Sequence, residues 1–360
     1  MAPLTNLLPL LTLLTLLTTA FSTPIASPAP SPLPVVLWHG LGDRFDNDGL
    51  TDIADLLQVV HPRTKVHIVA LGDDGTADQR ASFFGSLTDQ VSTVCDTLSS
   101  DPVFSSKTGP IDMLGFSQGG LFLRGLLETC PGIRVRSLVT FGSPHNGIAD
   151  LPACGTWDLL CKGAQGALKG NKWSEWVQSN IVPAQYFRET DQETGLGSEA
   201  YLNGSGWLAD VNNERDTKDE KYRGRLGSLE RFVMYGFEED QTLLPKETAW
   251  FAEVNATSGE VTGLRDRLMY AQDWLGLKVL DEKKALVFRM VKKAGHMDLT
   301  AKLLRKAFAE FFGPERELEE VPQEEVPQEE VPQEEEKQVS PWSALTNWRL
   351  QDVSLAGGDW

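Results

Sequence analysis

The fold is decided by the stretch Ile111-Asp-Met-Leu-Gly-Phe-Ser-Gln-Gly-Gly120. It starts with an apolar run typical of a buried strand and passes through G-x-S-x-G into leucines at helical spacing. In such a strand–turn–helix the turn is so tight that a Cβ at either glycine would clash with the adjoining strand or helix. The turn places the Ser117 hydroxyl at a helix N-terminus, which favours developing negative charge. We therefore predict that Ser117 is a catalytic nucleophile.

A serine nucleophile needs a general base, and in this motif the partners follow in the order serine, acid, histidine. Of the five histidines, His296 is the one that lies C-terminal to Ser117 between a predicted strand and a predicted helix. His145 is the rival, but it precedes every suitable acid, so we interpret it as a structural or pocket-lining residue. The predicted base is His296.

The acidic member of the triad is expected just after the end of a strand. The predicted strand Phe232–Phe237 leads directly into Glu238, Glu239 and Asp240, and Pro245 follows. A carboxylate just past a strand end, on a turn closed by proline, suits the third member of a triad. The shape of this turn favours Asp240 over the two glutamates.

A glycine-rich turn at residues 39–43 follows the first predicted strand. Such a turn can offer one backbone N–H to an oxyanion, alongside the N–H of the residue after the nucleophile. We name Leu41 and Gln118 as these two donors. His39 is expected to shape the turn rather than to transfer protons.

Short apolar runs alternate with amphipathic stretches over residues 34–313, which predicts one α/β domain with a mostly parallel sheet and helices on both faces. The predicted strands are Val35–Trp38, Lys65–Leu71, Ile111–Leu114, Ser137–Phe141, Phe232–Phe237 and Leu286–Val291. The predicted helices carry Phe83, Phe84, Leu87, Val91, Val94 and Leu98, then Leu121, Leu123, Leu126 and Leu127, then Leu303, Leu304, Ala307, Phe308 and Phe311.

The alternation stops over residues 146–229, which contain no clean strand. We interpret this span as an insertion of helices and loops on the sheet. Ligands of α/β sheets bind beyond the carboxyl ends of the strands, so the insertion is well placed to form the substrate site.

The two ends of the chain have a different character. Residues 1–22 contain a leucine-rich run that is too short and too broken by threonine to span a bilayer, and they predict a cleaved secretory signal. Residues 23–33 form a proline-rich spacer, and residues 314–360 carry three Val-Pro-Gln-Glu-Glu repeats, which predict a solvated, disordered acidic tail. Of the net charge of −18, this tail contributes −10. Such an acidic chain disfavours nucleic acid as a partner.

Cysteines and sequons agree with the secretory route. The four cysteines allow three disulfide pairings, and the seven-residue separation of the last two suits a short local bridge; they are Cys95, Cys130, Cys154 and Cys161. No C-x-x-C pair occurs, and we expect neither a metal site nor a cofactor. Asn203 and Asn255 begin glycosylation sequons. We expect a lumenal or extracellular protein, in a lysosome or vacuole or outside the cell.

Several longer motifs resemble the palmitoyl-protein thioesterases, lysosomal α/β-hydrolases that remove fatty acyl groups from cysteine. The segments at 36–43 (VLWHGLGD) and 113–120 (MLGFSQGG) resemble the family's first strand with its oxyanion loop and its nucleophile elbow. The segments at 210–215 (DVNNER), 232–240 and 272–277 (QDWLGL) are also similar. One departure is Arg44-Phe45-Asp46, where animal members carry an extra cysteine pair.

The resemblance implies an α/β-hydrolase fold with Ser117 as nucleophile, Asp240 as orienting acid and His296 as base, and with Leu41 and Gln118 in the oxyanion hole. It implies the disulfides Cys95–Cys130 and Cys154–Cys161. It also implies a substrate that is an S-acylated protein or peptide, with the fatty acyl chain in an apolar groove built by the insertion.

The sequence leaves three other hypotheses open. A secreted carboxylester lipase would use the same triad. A non-catalytic binding protein of the hydrolase fold would be marked by loss of a triad member, and here all three positions are filled. The acidic tail could make the chain an interaction scaffold. The hypothesis favoured by the motifs is a serine thioesterase.

Overall fold

A computed structural model describes residues 31–154 and 159–315. The strands in these ranges are β1 (Val35–Trp38), β2 (Val66–Ile68), β3 (Ile111–Phe116), β4 (Val135–Phe141), β5 (Arg231–Phe237), β6 (Glu253–Val254), β7 (Val261–Thr262) and β8 (Leu286–Val291). Six of them form a parallel sheet in the order β2-β1-β3-β4-β5-β8. A separate hairpin pairs β6 with β7.

The helices in chain order are α1 (Asp48–Val60), α2 (Gly75–Ala81), α3 (Leu87–Ser100), α4 (Gln118–Thr129), α5 (Leu159–Asn171), α6 (Glu175–Asn180), α7 (Val182–Gln185), α8 (Glu199–Gly204), α9 (Leu208–Val211), α10 (Glu220–Leu226), α11 (Leu268–Ala271), α12 (Leu277–Glu282) and α13 (Ala301–Phe311). Short 3₁₀ turns lie at Lys246–Trp250 and Leu264–Asp266. None of the helices in the described ranges combines the length and the apolar character that a membrane crossing needs.

Both faces of the sheet are covered, because side chains along each central strand alternate between two buried clusters. Val36 and Trp38 of β1 pack into the cluster that contains α3, α4 and α10. Val35 and Leu37 pack into the cluster that contains α1 and α13. Strands β1, β3 and β4 are buried along their whole length, as expected for central strands of a parallel sheet. The predicted α/β-hydrolase fold, a parallel sheet between two helical layers, is confirmed.

The predicted strands are all present, with small differences at their ends. The run predicted over 65–71 pairs only as Val66–Ile68. The helix predicted from Phe83 begins instead at Leu87, because the Ser86 side chain caps its N-terminus by accepting from the Asp89 N–H. Gly85 has a φ of 129°, so the chain turns sharply just before this cap.

The insertion between β4 and β5 carries α5 to α10 and, in its described part, no strand of the central sheet. An isolated bridge joins Ile148 to Phe187 within the insertion, and another joins Asp150 of the insertion to Leu244, in the segment that follows β5. Buried ion pairs fasten it: the Arg188 guanidinium contacts the carboxylates of Glu214, at 2.8 Å, and Glu253.

The structure contains the disulfides Cys95–Cys130 and Cys154–Cys161, which is the pairing that the resemblance implies. The first joins α3 to the C-cap of α4, and the second closes a loop of the insertion. The predicted signal peptide, the spacer up to residue 30 and the acidic tail from residue 316 lie outside the described residues.

Candidate active site

Ser117 lies between β3 and α4 with φ 49° and ψ −126°, a backbone conformation that a residue with a side chain rarely adopts. The flanking glycines make this turn possible. A Cβ on Gly115 would lie 2.3 Å from the Gly120 Cα, and one on Gly119 would lie 2.3 Å from the His39 carbonyl oxygen. The turn is therefore closed from both sides by backbone atoms, and the Ser117 side chain projects at the carboxyl end of the sheet, at the N-terminus of α4.

The three side chains predicted to form a triad lie in one hydrogen-bonded row. His296 Nε2 is 3.1 Å from Ser117 Oγ, and His296 Nδ1 is 2.6 Å from Asp240 Oδ2. The other Asp240 oxygen accepts from the N–H groups of Thr242 and Leu243, each at 2.9 Å. The backbone that follows β5 thus holds the Asp240 carboxylate in place, and the carboxylate orients the His296 imidazole.

The alternative residues lie elsewhere. His145 is buried, hydrogen-bonds through Nε2 to Thr140 Oγ1 at 3.0 Å and stacks on Phe251. Burial, with the nearby charge of Arg124, holds the pKa of His145 well below its ordinary value, so this residue stays neutral. Glu238 accepts from the Lys293 N–H at 2.9 Å in an exposed position, whereas the carboxylate that His296 contacts is that of Asp240.

The two predicted oxyanion donors border the same cavity as Ser117 and His296. A Cβ on Gly40 would lie 3.1 Å from Ser117 Cβ and 3.8 Å from Ser117 Oγ, so the turn after β1 passes directly beside Ser117. The N–H groups of Leu41 and Gln118 have no acceptor among the described residues. Both are thus free to bind an oxygen of a substrate.

Helix α2 supports this turn through residues that the sequence motifs do not include. Ser82 Oγ accepts from the Gly42 N–H at 2.9 Å, and the Gln79 side chain donates to the Gly42 carbonyl at 2.6 Å. Asp78 accepts from His39 Nε2 at 2.9 Å. No local pattern marks these polar residues, because their partners lie about 40 positions away in the sequence.

The cavity at Ser117 measures about 40 Å³ and is mainly apolar beyond the triad. Its walls come from the turn after β1, the elbow, the insertion and the turn after β5; they are Leu41, Ser117, Gln118, Pro144, Ile148, Asp150, Leu151, Pro152, Tyr186, Thr242, Leu243 and His296. The insertion therefore contributes directly to the space in front of Ser117.

A larger cavity of about 200 Å³ shares Ile148 with the first but contains no member of the triad. Its charged walls include Arg188 and Glu253, which are buried and paired with each other and with their neighbours. We attribute this charge network to the anchoring of the insertion. No group of three or more His, Cys, Asp or Glu side chains in the described ranges is arranged to hold a metal ion.

The sheet order, the nucleophile elbow and the Ser–His–Asp row define the chain as a member of the α/β-hydrolase class. Within this class the chain belongs to the palmitoyl protein thioesterase family, whose model matches residues 34–296.

Curated relatives support this membership. The chain is 36% identical over 255 residues to a palmitoyl-protein thioesterase–dolichyl pyrophosphate phosphatase fusion of Schizosaccharomyces pombe, a match that covers 70% of this chain and 39% of that protein. It is 30% identical to palmitoyl-protein thioesterase 1 of Caenorhabditis elegans, over 72% of this chain and 85% of that one. It is 28% identical to a lysosomal thioesterase of Bos taurus, over 73% of this chain and 81% of that one. Palmitoyl-protein thioesterases are hydrolases, so the chain is a hydrolase.

Proposed function

We propose that this protein is a serine thioesterase that removes long-chain fatty acyl groups, such as palmitate, from S-acylated cysteines of proteins or peptides. The observation that carries the proposal is the unbroken row from Ser117 Oγ through His296 to Asp240, in a chain that belongs to a thioesterase family.

In the proposed first step, Ser117 Oγ attacks the thioester carbonyl carbon and its proton passes to His296 Nε2. The carbonyl oxygen becomes an oxyanion that accepts from the N–H groups of Leu41 and Gln118. When the tetrahedral intermediate collapses, the C–S bond breaks, the sulfur takes the proton from His296 Nε2, and the cysteine thiol leaves. A thiolate leaves more readily than an alkoxide, so stabilisation of the oxyanion matters more here than protonation of the leaving group.

In the second step, His296 removes a proton from water, which attacks the acyl carbonyl carbon of the acyl-enzyme. The bond from this carbon to Ser117 Oγ then breaks, Oγ takes the proton back from His296, and the fatty acid is released. Asp240 holds the imidazole in the tautomer that can accept at Nε2, and it stabilises the imidazolium. The apolar walls from the insertion, Ile148, Leu151 and Pro152, supply the surface on which an acyl chain would lie. The disulfides and the lysosomal relative support a lysosomal or secretory location.

The test compares thioester and oxyester substrates that share one acyl chain. We expect wild-type kcat/KM to be higher on a palmitoyl-cysteine peptide than on the matched serine ester, and Ser117→Ala to lose about 10⁴-fold or more on both. Gly166→Ala, in an exposed part of α5 with nothing within 4 Å of the added methyl group, is the control variant. Activity of Ser117→Ala near the wild-type level would refute the mechanism. A preference for the oxyester would instead favour a carboxylester lipase.

A further inference from the structure

The ring of His39 lies between two oxygen atoms that can only accept. Its Nε2 is 2.9 Å from Asp78 Oδ2 and its Nδ1 is 3.0 Å from the Gly40 carbonyl oxygen. The Asp78 carboxylate also accepts from the N–H groups of Leu71 and Phe45, both at 2.7 Å, which is the pattern of an ionised carboxylate. Both ring nitrogens of His39 must therefore carry a proton, and the residue, 1% exposed, is an imidazolium.

This bond has a direct consequence for the oxyanion hole. The Gly40 carbonyl and the Leu41 N–H belong to one planar peptide unit and point in opposite directions. When His39 Nδ1 donates to that carbonyl, it fixes the plane of the peptide and so the direction of the Leu41 N–H. A charged donor on the carbonyl also polarises the peptide and strengthens its N–H as a donor.

We propose that His39, held as an imidazolium by Asp78, is a positioning residue that orients and polarises the Leu41 N–H toward the oxyanion. The inference rests on the proposed role of Ser117 as nucleophile. His39 acts only through the peptide between residues 40 and 41.

The surroundings of His39 set its pH dependence. The ionisable groups that face it are Asp78 on α2 and Asp43 on its own turn, while the elbow approaches through the backbone at Gly119. Burial lowers the pKa of His39, but the hydrogen bond and the charge of Asp78 outweigh this and leave the pKa above its ordinary value of 6.5. The imidazolium is complete at lower pH and is lost as the pH rises through the raised pKa. Above it, one ring nitrogen presents a lone pair to an oxygen, so the Gly40 carbonyl loses its charged donor and keeps the bond from the Asp43 N–H, at 3.3 Å.

The experiment measures how fast Ser117 reacts with a fluorophosphonate, and kcat and KM on a soluble short-chain ester, across pH. His39→Gln keeps a donor near Asp78 but has no charge, and His67→Gln on β2 is the matched control. We expect His39→Gln to react about 10- to 100-fold more slowly, mainly through kcat. Its Tm should fall as well, because the buried Asp78 carboxylate loses its counter-charge, so the rates are measured below the unfolding transition of the variant.

The pH profile separates positioning from mere structure. The wild-type rate should fall at alkaline pH as His39 loses its proton, and His39→Gln should lack this alkaline decrease. Asp78→Asn should move the decrease to lower pH, because the carboxylate charge that raises the pKa of His39 is gone. Nuclear magnetic resonance of isotope-labelled histidine in the wild-type protein should show both His39 ring nitrogens protonated at neutral pH, which needs no variant to fold.

A neutral His39 ring at neutral pH, or an alkaline decrease that Asp78→Asn leaves in place, would overturn the inference. So would a His39→Gln variant with the wild-type rate. If the wild-type Ser117 did not react at all, the proposed function would fail instead, so the two failures are distinguishable.

Discussion

Gly119→Ala is the sharpest test of how the elbow is built. A Cβ at this position would lie 2.3 Å from the His39 carbonyl oxygen and 2.4 Å from that of Trp38. Both atoms are backbone, at the end of buried β1, so neither can move as a side chain would. To reach the shortest tolerated separation of 3.0 Å, the start of α4 and the end of β1 must separate by about 0.7 Å.

Such a shift would change the spacing of the groups proposed to act in catalysis. The Gln118 N–H would move away from the turn that bears Leu41, and Ser117 lies beside both. A misplacement of about 1 Å can cost about 100-fold in rate, so we expect kcat to fall about 10- to 100-fold. Overpacking costs about 1 to 3 kcal/mol, and the gain in helix propensity from glycine to alanine offsets about 0.5 to 1 kcal/mol of it.

The assay is kcat and KM on a soluble thioester, with thermal and denaturant unfolding of the same preparations. Gly166→Ala is the control, because its methyl group meets nothing within 4 Å and the residue is exposed on α5. We expect this control to keep full activity and to gain about 0.5 to 1 kcal/mol of stability. A Gly119→Ala enzyme with more than half of the wild-type kcat and an unchanged Tm would refute the argument.

Three further predictions concern the acid, a buried carboxyl group and a disulfide. Asp240→Asn should lower kcat by about 10⁴-fold with little change in the unfolding midpoint, since the amide stabilises the wrong imidazole tautomer; near-normal kcat would contradict this role. Burial, opposed by the charge of Arg124, raises the pKa of Glu128 to about 7. Between pH 4.5 and about 7 the folded state therefore binds a proton that the unfolded state has lost. The free energy of unfolding should rise as the pH falls through that range. Glu128→Gln should flatten this rise in denaturant titrations, and an unchanged slope would show that the group does not titrate there. Replacing the Cys95–Cys130 disulfide by alanines should cost about 4 kcal/mol in the unfolding free energy, because the bond closes a loop of 35 residues; a loss below about 1 kcal/mol would contradict the entropic account.

The parts of this fold that the sequence predicts well are those with a local cause. Apart from Asp112, Ile111–Phe116 is apolar because both faces of β3 are buried. Gly115 and Gly119 are needed where they stand, because a Cβ on either would meet backbone atoms. Asp240 follows a strand end directly. Such features need only neighbouring residues, so they can be inferred without coordinates.

The remaining features depend on contacts between distant segments. Asp78 is an ordinary polar residue of a short helix until the fold places it 2.9 Å from His39. Arg188 pairs with Glu214 within the insertion, 26 positions away, and with Glu253 of the hairpin, 65 positions away. Phe83 fits the helical spacing of α3 but lies before it. The Ser86 cap makes the helix begin at Leu87, whereas periodicity alone would begin it at Phe83. Burial of polar groups has no period, so no sequence pattern marks it.

The placement of polar contacts fits the proposed thioester chemistry. The leaving group of a thioester needs little help, so the barrier lies mainly in forming the oxyanion. In this protein, Asp78, Gln79 and Ser82 of the α2 region all bond to the turn that bears Leu41. The side chain of Gln118, the other donor residue, is fixed as well, because it donates to the Ser82 carbonyl and accepts from the Tyr186 hydroxyl. The segment from Asp78 to Ser82 thus contacts both the turn that bears Leu41 and the side chain of Gln118. An enzyme whose difficult step is stabilising that negative charge requires rigidity at this place.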